Sequence, residues 1–264
     1  MPARCCDVCV WSVCTTVCCS GSKSDVPRYA DAAQDFTRAM AVAPQSALVL
    51  CNRATCWAKM GEAEAALQDL NAALDIDASN VDCLMTRGGV NKKLGCLSEA
   101  IYDFSRVIEL QPANAKAYVN RAMVYERAQD LQAAVTDCQT ALEIDARNSK
   151  SHFCMGTCLE RMGEDEAALA AMSRAIDIEK STAFFNARAM LYDKLGQFDR
   201  CIEDFNKAIA LEPANDALLH NRGASCRWSA RDAVLVLMAA RQVIASEKTG
   251  NSRQQSQILR NPLG

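Results

Sequence analysis

Histidine is close to absent, with only His152 and His220 among 264 residues, so there is little material for a zinc site or a general acid–base pair. Phosphate-cradling loops, a nucleophile elbow on a strand-to-helix turn and paired metal motifs are missing too. The chain therefore reads as a non-enzyme that takes no cofactor and no metal. Neither charge sign is in excess: 29 Lys and Arg stand against 32 Asp and Glu. That balance removes the electrostatic case for nucleic acid, because binding a phosphate backbone needs a basic face that releases counterions. No apolar run approaches the roughly 18 residues of a membrane span.

Cysteine is the residue present in excess, and its fifteen copies fall into two groups. Six lie between Cys5 and Cys19, with one C-x-x-C at Cys6 and Cys9 and no histidine nearby. Metal binding, lipidation and a signal peptide stay open there beside the plainer reading of a segment outside the regular part of the chain. The other nine are scattered at unlike positions and read as small apolar core thiols.

The rest of the chain repeats itself every thirty-four residues. Ala115 to Asn148 recurs, altered but in register, at Ala47 to Asn80, Val81 to Asn114 and Thr182 to Asn215. Within each copy apolar residues return at three- and four-residue steps in two bouts, parted by a polar turn with Gly61, Gly95, Gly163 or Gly196, or with a glutamine in the copy from Ala115. That spacing predicts a helical hairpin. Ala54, Gly88, Ala122, Gly156 and Ala189 are small residues on first helices, and Ala66, Ala100, Ala134 and Ala168 on second helices. Trp57, Tyr125, Leu159 and Tyr192 form one set of large residues, and Phe36, Leu70, Phe104 and Phe205 another. Large against small is the packing a close helix pair needs. Pro44, Pro112 and Pro213 are placed to stop second helices, and Asn80, Asn114 and Asn148 to cap the first helices that follow. A unit this short cannot bury its apolar face alone, so the copies must stack.

A thirty-four-residue helix-turn-helix unit with these small, aromatic and proline positions resembles the tetratricopeptide repeat, over roughly Asp25 to Arg227. The resemblance implies an all-α fold, an α-solenoid wound as a right-handed superhelix. It also implies a scaffold or adaptor that binds a protein or peptide along its concave face. The organisation reads as a cysteine-rich segment over residues 1–24, a repeat array over 25–227, and a capping helix with a polar tail over 228–264. The array comprises a half repeat at 25–46, repeats at 47–80, 81–114, 115–148, 149–181 and 182–215, and a degenerate start at 216–227. The unit at 149–181 is one residue short, which predicts a tighter turn before Thr182. Ala233 to Glu247 is the expected capping helix. Reduced cysteines favour a cytoplasmic location.

The family's best-specified ligand mode is a carboxylate clamp for the EEVD tail of heat-shock chaperones. Asn120 and Lys150 match two of its five places, whereas Met85, Gly89 and Cys154 depart from it. One repeat earlier, Cys51, Thr55 and Thr86 depart and only Lys116 fits. Chaperone-tail binding is the second reading, and a structural, self-associating spacer the third.

The repeats also align one another. Arg53, Arg87, Arg121 and Arg188 hold the seventh place, and their units carry Asp69, Asp103, Asp137 and Asp204 at the twenty-third. In the unit at 149–181 both vanish together, to Met155 and Ala171, so the pattern predicts a partly buried Arg–Asp bond inside each of the other four. In a stack of this family the first helices line the groove. Its basic edge would be Lys59, Lys93, Arg127, Arg161 and Lys194, its apolar floor would include Met85, Met123, Phe153 and Met190, and its amides would be Asn52, Asn120 and Asn186. Such a lining suits an extended peptide with acidic and apolar residues. The competing reading is that the basic residues complement helix dipoles.

Overall fold

The computed structural model describes residues 26–42 and 45–226. Among them the regular structure is helical: α1 (Val26–Val42), α2 (Ala47–Met60), α3 (Ala63–Ile76), α4 (Val81–Leu94), α5 (Leu97–Leu110), α6 (Ala115–Arg127), α7 (Leu131–Ile144), α8 (Ser149–Met162), α9 (Asp165–Ile178), α10 (Thr182–Lys194), α11 (Phe198–Leu211) and α12 over residues 216–226. The fold class is all-α, a helical-repeat solenoid type. The chain divides into two compact units, one reaching Cys158 and one starting at Leu159. The cysteine-rich segment at 1–24 and the expected helix at Ala233 to Glu247 lie outside the described residues.

Helix starts follow the side chains that accept orphan backbone N–H groups. Ser46, Asn80 and Asn114 accept from Val49, Cys83 and Ala117, and Asn148 accepts from Ser151 at 3.1 Å. The connection before α10 is one residue shorter than that before α4, as residues 179–181 replace Asp77 to Asn80. The asparagine cap is lost with it, and Ser181 stands at the N-cap without a side-chain bond. The helices end two residues ahead of Pro112 and Pro213, since a proline restricts the residue before it away from helix.

In the first unit each helix packs on the next from α1 to α7, and α4 also touches both α2 and α6. The small residues sit at zero exposure where the helices meet: Ala54, Ala66, Ala100, Ala122 and Ala134. Gly88 has no room for a larger residue, because a Cβ there would lie 2.9 Å from the Phe104 ring. Leu70 and Phe104 are fully buried between them. In the second unit α10 packs on α9 and α11, with Ala168, Met172 and Leu191 forming one buried cluster.

The four expected Arg–Asp pairs are present, each within its own hairpin. Arg53 meets Asp69 at 2.6 Å, Arg87 meets Asp103 at 2.7 Å, Arg121 meets Asp137 at 2.7 Å and Arg188 meets Asp204 at 2.7 Å. Each guanidinium donates to its carboxylate through both Nε and Nη2, and the Arg87 Nε is shared between the two Asp103 oxygens. The hydrogen bond to Asp69 raises Arg53 above the usual guanidinium range, and that to Asp137 does the same for Arg121. Nη1, left over, reaches back to the second helix of the preceding hairpin: to Thr37 at 3.2 Å, Asn71 at 2.9 Å, Ser105 at 2.9 Å and Ser173 at 2.8 Å. One arginine thus fastens a hairpin internally and to its neighbour.

Candidate functional site

First helices of successive repeats touch in the first unit, and the side chains beside that contact line a hollow. Its volume is ≈540 Å³, and its lining comprises Lys92, Lys116, Val119, Asn120, Met123, Asp145, Arg147, Asn148, Ser149 and Lys150. The floor is Val119, which is buried, and the half-buried Met123. Lys92 leaves the last turn of α4 and spans to α6, where its Nζ donates to Asn120 Oδ1 at 3.0 Å and to Met123 Sδ at 3.8 Å. Burial lowers the Lys92 pKa below the ordinary ammonium range, and the nearby Arg127, Lys150 and Lys93 charges lower it further. Asp145 is the one carboxylate in the lining, and its Oδ1 already accepts the Arg147 backbone N–H at 3.1 Å.

A second hollow, ≈460 Å³, is bounded by Leu67, Asn71, Arg87, Asn91, Tyr102 and Asp103 among others. Its polar groups are spent on one another, as Arg87 binds Asp103 and Asn71 while Asn91 donates to Asp103. The Lys92 hollow differs, because there the cations outnumber the carboxylates.

Of the residues expected to line a groove, Asn120 and Met123 stand together in this hollow, joined by Lys92. Met85 is half-buried on α4 and packs against the hydrophobic core, and it also borders an adjoining hollow with Lys116. Asn52 and Phe153 are half-buried on α2 and α8. Lys59 and Lys93 are exposed in the last turns of α2 and α4. Arg127 is exposed as well, and its Nη1 donates to the Lys92 carbonyl at 2.8 Å, which satisfies an orphan acceptor at the end of α4.

In the second unit Arg161 is exposed in the last turn of α8, Asn186 donates to Met190 Sδ at 3.8 Å, and Met190 is 53 % exposed. Asn186 Oδ1 is buried there without a hydrogen-bond partner. Lys194 pairs with Asp165 at 2.8 Å. Every member of the basic series occupies the last turn of its helix, where it also complements the dipole. Lys92 is not among the residues expected to line the groove, although it adjoins Lys93, which is. His152 is buried, with Nε2 3.3 Å from the Ala146 carbonyl oxygen, as a core residue.

Among the described residues no group of three or more His, Cys, Asp or Glu could hold a metal ion, and no helix is long and apolar enough to cross a membrane.

Models of the tetratricopeptide repeat match residues 26–81 and 93–149, and a further model of the same repeat matches 183–215. No curated protein matches the chain. Among solved structures, a tetratricopeptide repeat protein from Parabacteroides merdae is similar at 18 % identity, covering 97 % of this chain and 99 % of its own, with a TM-score of 0.66. A thermophilic protein of Thermus thermophilus built of the same repeat is 20 % identical over 69 % of this chain and 99 % of its own, with a TM-score of 0.59. YrrB, a repeat protein with an unusual peptide-binding site, is 22 % identical over 72 % of this chain and 99 % of its own, with a TM-score of 0.54. At these identities the likeness concerns the fold.

Proposed function

Because the chain belongs to the tetratricopeptide repeat family, whose members serve in general as protein-interaction scaffolds, we propose that it is an adaptor binding an extended peptide segment along the first helices of its repeats. The carrying observation is the hollow in the first unit, where Val119 and Met123 make an apolar floor beside an amide and several cations. A floor of this kind accepts apolar side chains, the Asn120 amide holds a backbone or a polar group, and the surrounding cations favour acidic residues in the segment. YrrB supports the reading as a repeat protein of similar fold with a peptide-binding site. Such a scaffold carries out no chemistry of its own. The reduced thiols of the described cysteines suit a cytoplasmic setting.

The second reading is a receptor for chaperone tails. It is favoured by one observation, that Asn120 and Lys150 line the same hollow, and weakened by Met85, Gly89 and Cys154 at the other places of that clamp. A photo-crosslinking residue placed at Met123 tests the groove, with one at Tyr102, which is 61 % exposed, as the control. Partner capture at Met123 and not at Tyr102 is expected. Capture at Tyr102 alone would move the site off the first helices, recovery of heat-shock chaperones dependent on their last residues would favour the second reading, and recovery of the bait alone would favour a self-associating spacer.

A further inference from the structure

The cations of the Lys92 hollow ask for more negative charge than one carboxylate brings. Lys92, Lys116, Arg147 and Lys150 stand in the lining against Asp145 alone, and the Asp145 carboxylate is turned to its own turn through the Arg147 backbone N–H. Lys116, Arg147 and Lys150 are exposed, so water screens each of them. Lys92 is different, because it is half-buried and both of its hydrogen-bond acceptors, an amide oxygen and a thioether, are neutral. A partly desolvated cation held by neutral groups, with others of its sign around it, is stabilised when an anion completes the site.

The geometry also orients the amide. Since Lys92 holds Asn120 Oδ1, the Nδ2 end of that amide is the one left to face a ligand. An ammonium has three protons, and two of those on Lys92 are directed at Asn120 and Met123, which leaves the third. The hollow therefore offers the remaining Lys92 proton, the Asn120 amide protons, and the mobile ammonium groups of Lys116 and Lys150. This donor set fits a group with three acceptor oxygens and close to two negative charges, and a phosphorylated side chain has both. At ≈540 Å³ the hollow is larger than one phosphate needs and has room for flanking residues over Met123 and Val119.

We infer that the hollow around Lys92 takes the phosphate of a phosphorylated serine or threonine on the bound segment, an inference that rests on the groove reading above. The scaffold then binds its partner in a phosphorylation-dependent way, with Lys92 and Asn120 as the recognition pair.

Titration calorimetry on the full chain tests it with doubly capped phosphoserine, its serine and glutamate counterparts, and inorganic phosphate as probes. Phosphoserine and inorganic phosphate should bind, serine should give no heat, and glutamate should bind at least about tenfold more weakly than phosphoserine. Lys92→Met should weaken phosphoserine about tenfold or more, while Lys180→Met, at an exposed site on the connection before α10, should not. Asn120→Asp supplies Lys92 with an internal counter-ion, so it should abolish binding while leaving the melting temperature unchanged or higher. Equal binding of glutamate and phosphoserine would overturn the phosphate assignment while leaving the peptide groove intact. Full phosphoserine affinity in Lys92→Met, or phosphate binding without phosphoserine binding, would also overturn it. Loss of crosslinking at Met123 is a separate failure, that of the groove.

Discussion

At the turn inside each hairpin a single residue enters the left-handed region of backbone space, and side chains differ in what they lose there. Gly61, Gly95, Gly163 and Gly196 have φ of 94°, 83°, 86° and 70°, while the repeat between Gly95 and Gly163 places Gln129 there with φ of 67°. Nothing lies within 4 Å of a Cβ built on Gly95, so the substitution Gly95→Ala meets no clash and isolates the backbone cost. That cost is about 1 kcal/mol, read as a shift of the urea midpoint with unchanged m. Gln129→Gly removes the same strain but frees the unfolded chain and discards the glutamine's contacts. Its gain should therefore be smaller than the loss in Gly95→Ala. The unfolded-chain term enters both substitutions with opposite sign, so equal and opposite shifts would mean that the glutamine's own contacts contribute nothing.

Within the hairpin, the arginine network decides how firmly one element is held by the next. Asp103 is 1 % exposed at its side chain and Arg87 21 %, so removing the carboxylate strands a cation that is mostly out of water. Breaking a fully buried pair costs roughly 3–5 kcal/mol, and the partial exposure of Arg87 puts Asp103→Ala nearer the low end, at about 3 kcal/mol. The exposed Arg38–Asp35 pair, at 80 % and 62 % exposure, supplies the contrast, since Asp35→Ala should change stability by less than about 0.5 kcal/mol. The repeat at 149–181 already carries the apolar alternative, Met155 with Ala171. Arg87→Met combined with Asp103→Ala should therefore lose less than Asp103→Ala alone, in chemical denaturation of all three variants. A double variant worse than the single would show that the bond from Arg87 to Asn71, at 2.9 Å, dominates the pair. These pairs were legible in the sequence because presence and absence go together at two fixed places. The reach of Nη1 to the preceding hairpin was not, because Thr37, Asn71, Ser105 and Ser173 share only a small polar character.

Across the molecule, the fold was legible because the period, the glycine turns and the asparagine caps all point to the same hairpin. The candidate site was legible only in part. Asn120 and Met123 are expected in the lining from their first helix, but Lys92 binds a side chain twenty-eight residues ahead, in another hairpin, and depends on how neighbours stack. The same stacking sorts the thiols. Cys96 and Cys226 are exposed, whereas Cys51, Cys56, Cys83, Cys138, Cys154, Cys158 and Cys201 are buried. Two opposite pKa shifts separate access from acidity. Cys154 is pushed well above the ordinary thiol range, first by its hydrogen bond with Cys138, and Cys83 is lowered by its hydrogen bond with Cys51. Since the thiolate is the nucleophile, acidity alone would make Cys83 the more reactive of the two. Yet Cys83 has no exposure, so an alkylating reagent reaches it only when the hairpins open. Timed iodoacetamide labelling at pH 8, read by mass spectrometry, should modify Cys96 and Cys226 first. Cys83 and Cys154 should both follow roughly a hundredfold or more slowly, as each ~1.4 kcal/mol of opening free energy is a factor of ten. Both buried thiols are labelled from the opened state, where their opposite folded-state shifts are lost, so raising the pH should not separate Cys83 from Cys154. Cys83 labelling at the rate of Cys96 would mean that the first unit opens freely, and that its stacked core does not set the stability of the repeats.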